Sequence, residues 1–207
     1  MRWLLLLLVL LTASCTVESR REKNYYVVVQ DTTFREKYAY VFVDHRGDTV
    51  ARLDSSKYYH CFTDTFEHFA VVAMRGRAGW WAIDVEQRPL FEVFNTGDVS
   101  PDEPREGLVR IVGSDRRLGF ANTNGEIVIA PQFEIVSSFY NGRAIIGRGC
   151  QKVYWRDDNG KLSDEHWSIE CGTYGYINNK GTVLRNGFSS YRKVQNAIGW
   201  KEPGESW

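Results

Sequence analysis

Four histidines, four cysteines and a regular series of carboxylates are the residues of this chain equipped for chemistry. His45, His60, His68 and His166 have the right ring for a general base or a metal ligand, but no two of them share a motif spacing. A Ser or Cys nucleophile needs a base and an orienting group beside it. The chain carries no G-x-S-x-G elbow, no Walker loop and no dinucleotide glycine fingerprint. C-x-x-C and H-x-x-x-H are also missing, so neither a metal nor another cofactor is expected. Asp44, Asp84 and Asp157 recur at similar intervals, as carboxylates paired for acid–base work would. Their sequence neighbours give them a different role.

Each of these acids closes a short β-prone run. The runs are Tyr40-Val41-Phe42-Val43-Asp44, Trp80-Trp81-Ala82-Ile83-Asp84, Leu118-Gly119-Phe120-Ala121-Asn122, Val153-Tyr154-Trp155-Arg156-Asp157 and Tyr174-Gly175-Tyr176-Ile177-Asn178. The closing residues stand 40, 38, 35 and 21 apart. In four of the five, Gly follows three residues later; Gln87 is the exception. A short carboxylate or amide bonds the backbone of a turn, and Gly takes its left-handed position. These acids are therefore turn residues. Asp157-Asp158-Asn159-Gly160 has the composition of a calcium loop, but its acids are contiguous rather than alternate, which suits a hairpin turn.

The unit is most complete over Leu118–Gly149. Asn124-Gly125 joins two apolar runs, a hairpin signal. Pro131 cannot donate to a ladder, so its strand should end there or lie at an edge. A lead strand precedes each middle copy: Phe66–Val72, Glu106–Val112 and Asn141–Ile146. The last copy has no room for one. Either it is an abbreviated terminal repeat, or residues 150–171 are a hairpin inserted into the fourth unit. Val27–Val29 and Ile127–Ile129 read as strands covered on both faces.

This pattern resembles bacterial WG-repeat proteins. Glu106-Gly107-Leu108-Val109-Arg110-Ile111, Leu118-Gly119-Phe120-Ala121-Asn122, Asn124-Gly125-Glu126 and Val128-Ile129-Ala130-Pro131 carry the likeness best. Tyr174-Gly175-Tyr176-Ile177-Asn178 with Lys180-Gly181 matches in part. The Trp-Gly pair itself is replaced by Leu-Gly and Tyr-Gly, and Trp80 keeps the Trp without the Gly. The resemblance implies repeated β structure and an interaction role, and it transfers no catalytic residue.

The first residues have the form of a targeting signal. Arg2 precedes an apolar run, Trp3–Leu11, too short to span a bilayer as a helix. Thr12-Ala13-Ser14-Cys15 resembles a lipobox, with Thr12 where Leu is usual, and would make Cys15 the lipidated first residue. An ordinary cleaved signal or an uncleaved anchor are the alternatives. The polar stretch 16–24 reads as a tether. The expected layout is a signal peptide over 1–14, a lipidated Cys15 and tether over 15–24, a repeat domain over 25–200 and a tail over 201–207. Thr16 is not the Asp of inner-membrane retention. The expected location is thus the bacterial cell envelope, on the periplasmic or surface side of the outer membrane.

An oxidising compartment permits disulfides. Cys150 and Cys171 lie five residues before the central aromatics of their copies, Trp155 and Tyr176, so equivalent strands would bring them together. That pairing leaves Cys61 buried and free.

The binding candidates are aromatic and basic. Adjacent strand residues face opposite ways, so Trp80 and Trp81 cannot share one core. Either one of them is exposed, at a unit interface or in a groove, or both are buried between neighbouring units. With Trp155, Arg116 and Arg117 they make a candidate binding set. Acidic and basic residues balance at 26 each, which argues against nucleic acid as a partner. The expected fold is all-β, with about five serial antiparallel hairpins in a solenoid-like or propeller-like array. The expected function is a lipid-anchored, non-catalytic scaffold of the envelope that binds an envelope protein. A carbohydrate- or peptidoglycan-binding module and an enzyme with an unrecognised site are the alternatives.

Overall fold

The computed structural model describes residues 24–31, 39–96, 100–156 and 162–202. Cys15, the tether and the Asp157 turn lie outside them. The described chain is almost entirely antiparallel strand, and it repeats one motif: a lead strand, a second strand, a tight turn and a third strand. The first unit is β1 (Tyr26–Asp31), β2 (Ala39–Asp44) and β3 (Thr49–Arg52). Two linking strands follow, β4 (Tyr58–Cys61) and β5 (Thr65–Phe66). The second unit is β6 (Ala70–Met74), β7 (Trp80–Ile83) and β8 (Pro89–Val93); the third is β9 (Leu108–Val112), β10 (Leu118–Asn122) and β11 (Ile127–Phe133). After the short β12 (Ile135–Val136), the fourth is β13 (Arg143–Arg156), β14 (Leu162–Asn178) and β15 (Val183–Phe188).

There are thus four units among the described residues, where the sequence suggested about five hairpins. Val153–Arg156 is not a copy of the repeat. It is the far part of β13, which runs on past its unit and pairs with the extended start of β14. Residues 150–171 are therefore an insertion in the fourth unit. Its hairpin tip has the same Asp-x-x-Gly grammar as the repeat, which is why the two looked alike.

Turn chemistry is shared by all four units. The main-chain oxygen of Asp44, Asp84, Asn122 or Asn178 accepts from the N–H three residues on, that of Gly47, Gln87, Gly125 or Gly181. All four donors have φ between +64° and +90°. The side-chain oxygen of the first residue accepts further N–H groups within the turn: Arg46 and Asp48 on Asp44, Asn124 and Glu126 on Asn122, Lys180 and Thr182 on Asn178, at 2.9–3.0 Å, and Arg88 on Asp84 at 2.8 Å. These bonds hold the Asp44 carboxyl below its usual range, the Asp48 N–H contributing most. Gln87 is the one non-Gly donor, and its side chain explains why. Its amide nitrogen donates to the Arg52 carbonyl at 2.8 Å and its amide oxygen accepts from the Asp54 N–H at 3.3 Å. The strained turn of the second unit is thereby tied to the first.

The strands form three sheets, ordered β3-β2-β1-β5, β11-β10-β9-β8-β7-β6-β4 and β12-β13-β14-β15. β11 runs through Pro131 but lies at a sheet edge, where no donor is missed. The hydrophobic clusters lie between units. One joins Phe42 of the first to Val72 and Ile83 of the second; a second joins Phe91 and Val93 to Val109 and Ile111; a third joins Phe120 and Phe133 to Ala144, Ile146 and Ile177. The outer end is closed by a helix the β reading did not anticipate, α1 (Tyr191–Ile198). Ser190 caps its start, left-handed Gly199 its end, and Val194 and Trp200 pack on Ile145 and Tyr174.

Two expected burials are not met. Val27, Val29, Ile127 and Val128 are all exposed. β-branched residues suit a pleated strand whether or not its outer face is covered, so an apolar run there does not require a second layer. Among the described residues, no helix is long and apolar enough to cross a membrane.

Candidate interaction site

β13 and β14 together make an arm that no other part of the repeat possesses. Beyond the fourth unit they pair only with each other, from Cys150↔Cys171 to Arg156↔Leu162. The expected Cys150–Cys171 disulfide is formed, joining directly opposed residues at the arm's base. Gly147 makes room for it: a Cβ there would lie 2.5 Å from the Cys171 sulfur. No arm residue whose burial is described is buried.

Opposed residues share a face, so the register assigns the side chains. Lys152, Tyr154, Trp167 and Ile169 lie on one face. The Lys152 ammonium sits 4.8 Å from the Tyr154 ring centre and 4.2 Å from that of Trp167. Trp155 lies on the other face beside His166, their rings 6.1 Å apart. Trp155 is 58% exposed and Trp167 46%, unusual for indoles in a strand.

At the base of the arm, Glu134 takes two main-chain donors of β13. Its carboxylate oxygens accept from Gly149 N–H at 3.0 Å and Cys150 N–H at 2.7 Å. The Cys150 and Gly149 bonds hold the Glu134 carboxyl below its usual range. Alongside lies a cleft of about 340 Å³, lined in part by Arg116, Arg117, Glu134, Ile135 and Lys152. A larger groove, about 650 Å³, runs beneath Trp167 and Ile169 past Phe94, Asn95 and Glu92.

The binding candidates fall in separate places. Trp80 and Trp81 are half-buried on opposite faces of β7, between units. Trp80 meets the rings of His60 and Phe62 edge-on and packs on the cluster around Phe91. Trp81 packs on the cluster around Phe42 and Val72, with Arg77 over its ring at 4.9 Å. Arg116 is exposed and paired with Glu92 at 2.8 Å; Arg117 donates to the Gln132 carbonyl at 2.9 Å. Only Trp155, Arg116 and Arg117 lie on or near the arm. Tyr154, Trp167 and Lys152 belong to the same surface, and a continuous strand through 150–156 was the signal that would have added them.

The histidines remain scattered. His60 bonds the Tyr40 hydroxyl at 3.1 Å, His45 lies near Tyr25, His68 lines a cleft with Asp64 and Glu67, and His166 is on the arm. Cys61 is a free thiol buried in the first cluster, and burial pushes its pKa up to about 12. The buried carboxylate Asp102 grips Arg110, accepting from its main-chain N–H at 2.8 Å and its guanidinium at 2.6 Å. That guanidinium also donates to the Val136 carbonyl and covers the Phe94 ring.

Three-stranded units with this turn define an all-β repeat protein. Residues 119–147 match the family described as WG containing repeat, a stretch running from β10 into β13. The match supports the WG-repeat family as the source of the repeat. No curated protein matches the chain.

Proposed function

We propose that the chain is a non-catalytic interaction scaffold, held at the bacterial cell envelope by a lipid on Cys15, with its units stacked as a short solenoid-like array. The observation that carries this reading is the arm. A disulfide-bolted ribbon exposing Tyr154, Trp155 and Trp167 has the aromatic content of a protein-binding surface. The repeat beneath it supplies a rigid support. Crosslinking and pull-down from native envelopes tests it, comparing wild type with Trp155→Ala. Named proteins recovered by wild type and lost with the variant support the scaffold; recovery unaffected by Trp155→Ala removes the arm from it.

A glycan-binding reading draws on the groove of about 650 Å³, where Trp167 stands near Glu92, Arg116 and Asn95. An aromatic wall beside paired polar groups suits a sugar ring. Peptidoglycan fragments recovered in the same pull-down would favour it.

A further inference from the structure

We infer that the outer edge of β13 beyond Cys150 is a docking edge for an acidic, extended peptide, which adds to it as a further strand. This rests on the arm being the protein-binding surface.

The first observation is the edge itself. β12 pairs with β13 only at Ile146 and Gly147. From Gln151 to Arg156, among the described residues, β13 has a strand on one side only. A strand edge of this length presents alternate N–H and C=O groups to any chain laid beside it, the basis of recognition by strand addition.

The second is charge. β13 carries three Arg and one Lys over its 14 residues, and no acid. The cleft at the edge adds Arg116 and Arg117. Lys152 lies back over the Tyr154 and Trp167 rings, leaving its charge on the face beside the edge rather than blocking it.

The third is that the chain already supplies one such contact. Where β12 is about to begin, the Glu134 carboxylate takes the Gly149 and Cys150 donors. An acidic strand continuing beyond Cys150 would extend that interaction. Alternate side chains of the incoming strand would meet the Tyr154 face and the Trp155 face, which fits an apolar residue at every second position.

The probe is a fluorescein-labelled heptapeptide alternating Glu and Val, read by fluorescence anisotropy with the full mature chain. Its lysine counterpart, alternating Lys and Val, is the charge control. We expect the Glu peptide to bind at least tenfold more tightly, and Lys152→Glu combined with Arg117→Glu to remove that preference. Two further probes do not depend on any variant folding: the Glu peptide N-methylated at its valines, and the same peptide N-methylated at its glutamates. Strand addition uses the N–H groups of one alternate set, so one of these should bind and the other should not. Amide exchange should slow in Gln151–Arg156 on binding. Equal binding of both N-methylated peptides, equal binding of Glu and Lys peptides, or protection only outside β13 overturns the proposal. So does a sedimentation result in which a second copy of the chain occupies the edge. If the peptides fail while capture in the envelope pull-down still depends on Trp155, the strand-addition proposal falls and the scaffold reading stands.

Discussion

A Cβ built on Gly119 would run into the main-chain carbonyl oxygen of Ile129 and lie 2.6 Å from the Pro131 nitrogen. Gly175 stands at the same position of the fourth unit, and a Cβ there would meet the Arg185 carbonyl and lie 3.0 Å from the Asn186 Cα. In both units the third strand shifts register at this residue. Val41 and Trp81 hold the position in the other two, and there the pairing passes it without a shift. The glycine of the repeat therefore admits an extra bulge that presses the third strand onto the second.

Gly119→Ala should consequently destabilise the chain by about 1–3 kcal/mol, the range for a methyl forced into packed structure. Gly175→Ala should behave alike. Urea unfolding followed by tryptophan fluorescence measures both; an unchanged midpoint would mean that the third strand yields easily.

Gln87 offers a different test. It accepts a left-handed backbone and in return bonds Arg52 and Asp54 of the preceding unit. Gln87→Ala keeps the strain and loses the bonds, so about 1–2 kcal/mol should be lost. Gln87→Gly also loses the bonds but relieves the backbone, and should cost less than the alanine variant. Equal losses would show that the left-handed strain at this position is negligible.

Breaking the Cys150–Cys171 bond by double substitution to Ser should lower stability by about 3 kcal/mol on loop entropy for a separation of 21 residues. Amide exchange should then quicken first in the arm, since the arm strands pair only with each other. Uniform acceleration throughout the four units would contradict the arm's local character.

The Cys61 thiol ionises near 9.0 in an unfolded chain and at about 12 in the native one. Between those values the unfolded state has lost a proton that the native state keeps. Stability contributed by the neutral thiol is therefore present below pH 9 and declines as pH rises toward 12. The stability difference between wild type and Cys61→Ala should shrink across that window in calorimetry at stepped pH. A constant difference would show that the thiol is not shielded.

Asp102→Ala would leave the Arg110 guanidinium, whose side chain is 15% exposed, without its carboxylate. The expected loss is about 3–5 kcal/mol, the range for removing one partner of a buried pair. Asp102→Asn keeps an acceptor for the Arg110 N–H and should lose less. Thermal unfolding of the two variants decides the order.

The turns were legible because their chemistry is local: an Asp or Asn and a Gly three residues later act within one loop. The disulfide was legible because strand register carries over between neighbouring copies. Gln87 hid a turn because its compensation comes from Arg52 and Asp54, more than thirty residues away. The arm was ambiguous because its tip obeys the same turn grammar as the repeat. Val27 and Ile127 misled because strand preference and burial draw on the same residue types. The helix had its signals in Ser190 and Gly199, but eight residues of weak apolar pattern did not outweigh the strands before them. The binding surface was half legible: Trp155 and Arg117 stood out by type, whereas Lys152 and Trp167 join it only once the strands are laid side by side.

Because the clusters around Phe42, Phe91 and Phe120 each draw on two neighbours, no unit owns a complete interior. Adding a copy covers one apolar face and presents another, so the array could lengthen by duplication without redesign. Removing a middle copy would instead leave two unlike faces to be matched. The helix with Val194 and Trp200 is what ends this sequence of faces, and a chain cut before Tyr191 would expose Ile145 and Tyr174 as an adhesive end.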